Sequence, residues 1–389
     1  MKRVNSILTI ILLIIAGCGG SRQSTDDLVI VDVTRSYPQK ELILQDFMDV
    51  EYIALETGGE FYTQGVVLDV GNEIIVVRNN VSDGDIFIFD RNGKGLRKIN
   101  RRGQGPEEYI SITGLTLDED NGEMFVRDAK GIIVYDLYGN FLRRFPLSNN
   151  VFYSSFKNYD REHLICGKTP FQVDEKTTES QPCSIISKKD GSIVKDIQIH
   201  FKQAVNTRAV ADGEEQMVVF LPSMLKSIIP YHDSWVITEL SSDTVFRLLP
   251  DFSIIPFMAR TPSIHSMNPE VFLLPVIHTD RYYFIETLRK QIERIPGFFQ
   301  RKKLIYDRLE KTIYLYTVCN DDYTTPKTFE FSLGLSSNMN NKIAYLQKLE
   351  AIDLVEAYEK GQLKGKLKEI AAGLKEEDNP VIMLVKHKK

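Results

Sequence analysis

The sequence lacks the short motifs that mark the common catalytic sites. It contains no G-x-S-x-G turn for a nucleophilic serine, no H-E-x-x-H zinc motif and no G-x-x-x-x-G-K-[ST] phosphate loop. The six histidines are scattered along the chain without the spacing of metal ligands. These absences argue against an enzyme built on a local motif. A catalytic site assembled from residues that are distant in sequence stays open.

Cysteine is also scarce. Of the four cysteines, Cys18 lies in the N-terminal segment, and Cys166, Cys183 and Cys319 lie further along the chain. No C-x-x-C spacing occurs, which disfavours a zinc site. A disulfide between Cys166 and Cys183 is open in an oxidising compartment, and isolated buried thiols are the alternative.

Positive charge is in deficit. The chain has 48 Lys and Arg against 53 Asp and Glu, which gives a formal net charge of −5. Removal of residues 1–17 takes away Lys2 and Arg3, so that 46 basic residues remain and the net charge becomes −7. This balance argues against nucleic-acid binding and against an electrostatic hold on anionic lipid. No nucleic-acid partner is therefore expected.

The N-terminus carries a targeting segment. Lys2 and Arg3 precede an apolar stretch at residues 7–15, which is too short to span a bilayer. The stretch ends in IAGC at residues 15–18, which resembles the bacterial lipobox, where the chain is cut before the cysteine and the cysteine is acylated. We expect a lipoprotein signal peptide at residues 1–17, a lipid anchor on Cys18 and a tether at residues 18–40. The expected location is the outer membrane, on its periplasmic or outward side, and an ordinary secretory signal is the alternative.

Two segments of the chain repeat one another at an offset of 46 residues. Residues 86–99 read IFIFDRNGKGLRKI, residues 132–145 read IIVYDLYGNFLRRF, and no gap is needed to align them. Each copy is an apolar run, a turn at a glycine and a second run that ends in basic residues, which predicts a β-hairpin. A hairpin that recurs every 40 to 50 residues is typical of a propeller blade.

Further hairpins continue this repeat toward the C-terminus. Their turns are centred near positions 93, 139, 191, 251 and 310, so the spacings are 46, 52, 60 and 59 residues. Five such turns, and one blade closed by both ends of the chain, predict an all-β, six-bladed propeller over residues 41–389. Propellers avoid open sheet edges by pairing strands from the two ends, and residues 49–57 and 380–385 can supply these strands.

One region departs from the β pattern. Residues 342–374 place apolar residues near helical spacing, and Gly361 divides the region. We therefore expect a short C-terminal helical insertion of two helices in the last blade. Packing of these helices on the flank of the propeller is the simpler expectation, and a partner-binding groove is the alternative.

Several strings resemble a known family. The string GQGPEEY at residues 103–109 follows the first hairpin, LET occurs at residues 55–57 and EEDNPV at residues 376–381. With these strings the chain resembles the exported six-bladed β-propeller lipoproteins of Gram-negative bacteria, relatives of the NHL-type propellers. One departure is Glu107, which stands where that family often has glycine. The resemblance implies the fold and an envelope location for nearly all of the mature chain, and it implies no reaction.

The loop at residues 101–109 is the best candidate for a binding site. Its two glycines permit close approach of a ligand to the backbone. Its polar side chains could meet a polar ligand with hydrogen-bond donors and acceptors: Arg101, Arg102, Gln104, Glu108 and Tyr109. The alternative is a connector between blades, in which Glu108 pairs with an arginine and Tyr109 packs between sheets.

The acidic run DEDNGE at residues 118–123 has the composition of a calcium loop without its spacing. An EF-hand loop needs glycine at its sixth position and a bidentate glutamate at its twelfth, where this chain has Glu123 and Ala129. The Asn-Gly pair instead predicts a tight hairpin turn. We therefore expect no metal and no cofactor.

Two functions remain open for such a propeller. The first is a binding or scaffolding module for a glycan, a peptide or a partner protein, held at the membrane through Cys18. The second is a propeller enzyme, a lyase or hydrolase acting on glycans. Carboxylates that converge on the central channel would favour the enzyme. The aromatic residues form either a platform for a sugar ring or strand cores: Trp235, Tyr282, Tyr283, Phe298 and Phe299.

Overall fold

The structure is a computed structural model that describes residues 28–146, 152–169, 174, 176–206, 228–292, 299–331 and 340–388. Cys18 and the signal segment lie outside these residues. None of the described helices is long and apolar enough to cross a bilayer. The described chain begins with four elements: β1 (Val29–Asp32), β2 (Gln39–Ile43), α1 (Leu44–Phe47) and β3 (Met48–Ala54).

The first three blades are four-stranded antiparallel sheets with their strands in chain order. Blade 1 contains β4 (Val66–Val70), β5 (Ile74–Arg78), β6 (Asp85–Asp90) and β7 (Gly95–Asn100). Blade 2 contains β8 (Gly114–Asp118), β9 (Glu123–Arg127), β10 (Gly131–Asp136) and β11 (Phe141–Pro146). Blade 3 contains β12 (Phe152–Asn158), β13 (His163–Thr169), β14 (Glu179–Ser187) and β15 (Ile193–His200).

The other three blades carry additions from the chain ends. Blade 4 contains β16 (Ile228–Tyr231), β17 (Ser234–Ile237), β18 (Thr244–Leu248) and β19 (Ile254–Thr261), and a 3-10 turn follows at Ile264–Ser266. Blade 5 contains β20 (Val271–His278), β21 (Tyr282–Ile292), β22 (Phe299–Asp307) and β23 (Thr312–Asn320), with the short β24 (Lys327–Phe329) beside β23. Blade 6 combines β25 (Ile343–Leu349) and β26 (Val381–His387) with β3. Two helices lie between β25 and β26: α2 (Ala351–Glu359) and α3 (Gly365–Ala371).

The ring closes by pairing strands from the two ends of the chain. β26 pairs antiparallel with β3 over seven residues, from Val381 opposite Ala54 to His387 opposite Met48. This joint gives β26 a partner on each side and makes β3 the outermost strand of blade 6. The predicted six-bladed propeller and its closing strand pair are confirmed.

The N-terminal segment forms strands within the span that was expected to be a tether. β1 runs parallel to β19 on the outer edge of blade 4, and β2 runs parallel to β23 on the outer edge of blade 5. Val29, Val31 and Val33 alternate with exposed or half-buried residues and are themselves buried. This period of two is typical of a strand with one face on the core. The folded body therefore includes β1 and β2, which begin before the expected boundary at residue 41.

The expected helical insertion is correct in its second part only. α2 and α3 are present, and Gly361, which has a φ of +66°, separates them as predicted. Residues 343–349 form β25 instead of a helix, because this segment pairs with β26 on the side away from β3. Ile343, Leu346 and Leu349 are spaced by three, and that spacing alone does not distinguish a helix from this strand.

The apolar core lies between neighbouring blades, and the two buried cysteines illustrate this. Cys183 lies opposite Gly167 on adjacent strands, so its side chain and that of Cys166 point to opposite faces of the blade 3 sheet. Cys166 packs toward blade 2 and Cys183 toward blade 4. Both are free thiols, and burial raises the pKa of Cys166 to about 12. The expectation of isolated thiols is confirmed, and the Cys166–Cys183 disulfide is not formed.

In each of the first three blades, the glycine in the turn between the third and fourth strands packs against the outermost strand of the preceding blade. Blade 6 precedes blade 1 in the ring. Gly93, Gly139 and Gly191 have φ values of +83°, +86° and +75°. A Cβ atom at Gly93 would lie 1.9 Å from the Ala54 carbonyl oxygen, and one at Gly139 would lie 2.7 Å from Ile99 Cγ2. Glycine is therefore required by both the backbone conformation and the close approach of the next blade.

Candidate functional site

The two faces of the ring carry different segments of chain. In each of blades 1 to 3, the end of the first strand leads through a turn into the second strand. The chain arriving from the preceding blade enters at the start of the first strand. We call the face at the ends of these first strands the turn face and the face at their starts the connector face. Residues that follow β4, β8 and β12 therefore converge on the turn face.

A cavity of about 740 Å³ opens on the turn face. Blades 1, 2, 3, 4 and 6 all contribute to it, so it lies where the blades meet around the axis of the ring. Its lining is largely charged and polar: Glu51, Asp69, Asn72, Arg91, Thr116, Asp118, Glu119, Asp120, Lys157, Asn158, Asp160, Arg161, Asn340, Asn341, Lys342 and Lys386. Tyr159 and Trp235 add an aromatic patch.

Asp69 joins the first strands of blades 1 and 2 beside the cavity. Its Oδ2 accepts hydrogen bonds from the Thr116 hydroxyl and the Leu117 N–H, both at 2.9 Å. The pairing of β4 with β5 shifts in register between Val67 and Asp69, and such an irregularity changes the direction in which side chains point. The buried Asp69 carboxylate is thus already engaged by the protein.

Lys157 brings an ammonium group into the same part of the cavity. It lies on β12 and is half-buried. Burial lowers the pKa of Lys157, and the nearby Asp69 carboxylate acts in the opposite direction. The cavity therefore holds a cation close to its wall, where a bound anionic or hydroxyl group could reach it.

Three carboxylates of blade 2 are also engaged by the protein, two of them by neighbouring blades. Lys188 of blade 3 donates to Asp118 Oδ2 at 2.5 Å and to the Asp160 carbonyl at 2.6 Å, and both charged side chains of this pair are buried. Glu119 accepts N–H bonds from residues 72, 73 and 74 of blade 1. Glu123 forms a bidentate pair with Arg143 at 2.6 and 2.7 Å. Asp118 and Glu119 of the acidic run therefore join blade 2 to blades 3 and 1, whereas the Glu123–Arg143 pair lies within blade 2.

Four polar side chains at the mouth of the cavity are left over from these internal contacts. Asp120, Asn158, Arg161 and Asn341 are exposed, and their side chains have no partner among the described residues. They come from blades 2, 3 and 6, and they include an acid, a base and two amides. Such a set can hydrogen-bond a polar ligand that carries both donors and acceptors.

The aromatic residues mainly pack inside the propeller. Tyr282, Tyr283 and Phe299 are buried, which confirms the core alternative for them, and Phe298 lies outside the described residues. Trp235 lines the cavity yet is only 6% exposed, because it stacks on Tyr159 with ring centroids 6.2 Å apart. Tyr159 is therefore the ring that the cavity exposes more fully.

The lining side chains limit the chemistry of the cavity. Among the described residues that line it there is no serine, cysteine or histidine. The Thr116 hydroxyl is bonded to Asp69, so the described lining offers no free hydroxyl or thiol beside a histidine base, as nucleophilic acyl transfer needs. No group of three or more His, Cys, Asp or Glu among the described residues is arranged to hold a metal ion.

The loop at residues 101–109 lies at the other end of the inner strands. It leads into the start of β8, whereas the cavity residues Asp118 and Asp120 lie at and beyond its end, so this loop is on the connector face. Tyr109 is fully buried; its hydroxyl donates to the Gly84 carbonyl at 2.7 Å and accepts the Arg101 N–H at 2.9 Å. Its ring packs edge-on against Tyr135. Tyr109 thus packs between sheets, as in the connector alternative.

The remaining predicted residues of this loop divide into two groups. The Arg101 side chain donates to the Gly139 carbonyl at 2.9 Å. The Glu108 carboxylate accepts the Gly105 N–H at 2.9 Å, and the Glu108 main-chain carbonyl, not its carboxylate, accepts a hydrogen bond from Arg144 at 3.3 Å. Arg102 and Gln104 are exposed. Arg101 is exposed too, but it is engaged by the Gly139 carbonyl, so among the predicted residues Arg102 and Gln104 are the exposed ones without a side-chain hydrogen bond among the described residues.

Comparison with known proteins identifies the family. The model of a domain of unknown function, DUF4934, matches residues 28–386. The chain belongs to this family. No curated protein matches it.

Two solved structures from Bacteroides resemble this DUF4934 chain. A protein of Bacteroides fragilis NCTC 9343, provisionally named an exported protein, is 14% identical with a TM-score of 0.54, over 90% of this chain and 99% of that one. A DUF4221 member from Bacteroides vulgatus ATCC 8482 is 11% identical with a TM-score of 0.48, over 88% and 98%. At such identities the likeness concerns the fold alone.

The cavity of this DUF4934 protein was missed by the reasoning from sequence. Asn158 and Arg161 follow β12, a strand whose sequence FYSSFKN has no clear alternation of apolar and polar residues. The available signal was topological: residues that follow the first strand of every repeat must meet on one face of the ring. Asn72 and Asp120 occupy such positions in the two repeats that were recognised.

Proposed function

We propose that this protein is a lipid-anchored binding module of the cell envelope that holds a polar ligand in the turn-face cavity. The observation that carries the proposal is the unused set of side chains at the cavity mouth, which three blades supply. Cavities of 300 to 1,000 Å³ with a few convergent polar groups are typical of ligand sites. The cavity volume of about 740 Å³ falls in this range.

The chemistry of the lining indicates the class of ligand. Asp120, Asn158 and Arg161 supply an acceptor, an amide and a cation, and the half-buried ring of Tyr159 supplies an apolar surface. A glycan or a short peptide combines hydroxyl or amide groups with apolar faces, and so it fits this lining. A protein partner would present such a segment from its own surface.

The envelope location is part of the same proposal. It is supported by the lipobox-like string that ends at Cys18, by the resemblance to exported NHL-type propeller lipoproteins and by the export assigned to the Bacteroides fragilis structure. We propose that Cys18 is the first residue of the mature protein and carries lipid, in the outer membrane. Mass spectrometry of the mature N-terminus in wild type and Cys18→Ser tests this: acyl chains on Cys18 are expected in the wild type only.

Binding assays with matched variants test the site. The protein is screened against a glycan array and a peptide library, and hits are measured by calorimetry. Arg161→Ala and Asn158→Ala are expected to weaken binding tenfold or more with little change in melting temperature, because both side chains are exposed. Arg102→Ala on the connector face is the control. Loss of binding in Arg102→Ala alone would move the site to Arg102 and Gln104, the second candidate.

A propeller enzyme acting on glycans is the alternative function, and Lys157 is the observation that favours it. A lysine whose pKa is lowered by burial gives up its proton more readily than usual and can act as a general base, as a lyase requires. Incubation with acidic polysaccharides, followed by the ultraviolet absorbance of unsaturated products, tests this activity. Turnover that Lys157→Met abolishes would establish the enzyme, whereas binding without turnover supports the module.

A further inference from the structure

Two large apolar side chains are exposed at the start of β1, Leu28 just before the strand and Ile30 within it. Leu28 and Ile30 are 44% and 53% exposed, while Val29 and Val31 between and beside them are buried. Leu28 and Ile30 are two positions apart along an extended strand, so they point to the same side. This apolar pair is available at the perimeter of the ring, on the outer edge of blade 4.

The pair lies next to the point where the described chain meets the proposed lipid anchor. β1 runs parallel to β19, with Val29 opposite Met258, so Leu28 lies toward the beginning of β19. Ten peptide units separate Leu28 from Cys18. A fully extended chain of that length reaches about 35 Å, which is the upper limit to the distance between blade 4 and the bilayer.

We propose that the apolar pair of Leu28 and Ile30 rests on the bilayer that holds the lipid of Cys18, so that blade 4 faces the membrane. This inference rests on the acylation of Cys18 proposed above. The occupant is a zwitterionic phospholipid surface, because the mature net charge of −7 disfavours anionic lipid. Apolar side chains beside an acyl anchor add buried area at the interface and hold one side of the protein down.

The orientation that follows matters for the cavity. Blade 4 meets the membrane with its outer edge, so the axis of the ring lies along the plane of the bilayer. The turn face and the connector face then both open to the aqueous compartment. A ligand could enter the turn-face cavity without passing between the protein and the membrane.

The test compares probes on opposite sides of the ring. Ile30→Cys and Leu96→Cys are made in the full-length lipidated protein, labelled with an environment-sensitive fluorophore and reconstituted in phosphatidylcholine vesicles. Leu96 is the matched control because it is 41% exposed on β7, the outermost strand of blade 1, which lies across the ring from blade 4. Labelled parent protein measures the background from Cys319.

The expected result is a blue-shifted emission at position 30 that brominated phosphatidylcholine quenches at least twofold, and no change at position 96. Leu28→Cys should repeat the result at a second site. Equal emission at positions 30 and 96 in protein that floats with the vesicles would overturn the orientation while leaving the lipid anchor intact. A shift at position 30 that appears without vesicles as protein concentration rises would assign the pair to a second copy of the chain instead. Failure of the anchor has its own signature, a mature protein without acyl mass that does not float, and it overturns both proposals.

Discussion

Arg97 and Arg143 lie 46 positions apart and make the same contact with the blade that follows their own. Arg97 donates to the Leu137 carbonyl at 2.6 Å, and Arg143 donates to the Lys188 carbonyl at 2.8 and 3.0 Å. Both acceptors lie in the turn between the third and fourth strands of the next blade, which form its outer hairpin. Arg97 and Arg143 of the sequence repeat therefore join neighbouring blades.

Loss of Arg143 should weaken this joint measurably. Arg143 also forms the bidentate pair with Glu123, and charge-assisted hydrogen bonds to a partly buried group are worth about 1.5–3 kcal/mol. We expect Arg143→Ala to lower the free energy of unfolding in urea by about 2 kcal/mol. Arg143→Lys keeps the positive charge but lacks the planar guanidinium group that bonds to Glu123 with two nitrogens. Its stability should therefore exceed that of Arg143→Ala by less than half of the expected loss. Equal stability of Arg143→Ala and wild type would contradict the joint.

Gly93→Ala should loosen the contact between blade 1 and β3. The added Cβ would lie 1.9 Å from the Ala54 carbonyl oxygen, and the φ of +83° adds strain. We expect a loss of about 3 kcal/mol or more in the free energy of unfolding, since strain and a backbone clash add together. Gly122→Ala is the control, because Gly122 has a φ of +67° and no atom within 4 Å of an added Cβ. It should lose only about 1–2 kcal/mol.

Truncation after residue 378 should prevent stable folding. It removes β26, and with it the partner of both β25 and β3. Thermal unfolding followed by circular dichroism should show no cooperative transition near that of the full chain. Removal of residues 388–389 alone should leave the transition unchanged, because Lys388 makes only an exposed hydrogen bond to the Asp46 carbonyl. A truncated protein with unchanged melting temperature would refute the closing role of β26.

Lys40 should fasten β2 to blade 5 in a pH-dependent way. Its ammonium lies 2.7 Å from Asp307 Oδ2, and Asp307 is buried. Burial opposes ionisation of Asp307, yet hydrogen bonds from Lys40 and Arg281 lower its pKa below the ordinary 3.8. The stabilisation from Asp307 is therefore present above pH 3.8 and is lost as the pH falls through the lowered value in the folded protein.

The measurement compares Lys40→Met with wild type. At pH 7 the variant should lose about 1–3 kcal/mol of unfolding free energy, because a buried carboxylate loses one of its partners. Melting temperatures at pH steps from 7 toward about 3 should show this difference shrinking at the acid end. Lys366→Met, which breaks an exposed pair with Glu369, should show no such difference at either end. A gap that is independent of pH would exclude the Asp307 contact as its cause.

The two arginines that begin the loop at residues 101–109 should behave differently. Arg101→Ala removes a hydrogen bond to the Gly139 carbonyl, so it should lower the free energy of unfolding by about 1 kcal/mol. Arg102→Ala removes an exposed side chain and should change it by less than about 0.5 kcal/mol. Urea denaturation of the two variants checks this. Equal losses would mean that Arg102 also holds blades together.

The outer hairpins of the propeller could be predicted from the sequence because their signals are local. The turns at Gly93 and Gly139 combine a left-handed glycine with flanking apolar runs, and both are present in the structure. The sequence of β25 could not be distinguished from that of a helix, because the spacing of Ile343 and Leu346 is compatible with either. The pairing with β26 decides for a strand.

The candidate site depended on information that local patterns do not carry. From the sequence, Glu108 and Tyr109 could both face a ligand. In the structure the Glu108 carboxylate bonds to Gly105 of its own loop, and Tyr109 is buried between blades 1 and 2. Asn158 and Arg161 have unremarkable neighbours, and their meeting with Asp120 is decided by the closure of a ring. A convergence of this kind follows from topology, which the spacing of residues along one repeat does not encode.

The pairing of β3 with β26 also sets the order of events in folding. Val50 pairs with Val385, which follows 335 positions later, and β1 and β2 likewise pair with β19 and β23. Residues synthesised first therefore receive their partners last, and contacts between such distant residues form slowly. Until β19, β23 and β26 are made, β1, β2 and β3 in that order carry unpaired edges that can associate with other chains. Of the three N-terminal strands β3 waits longest, because its partner β26 is made last, so the closing strand of the ring is also the one exposed to misassociation for most of synthesis.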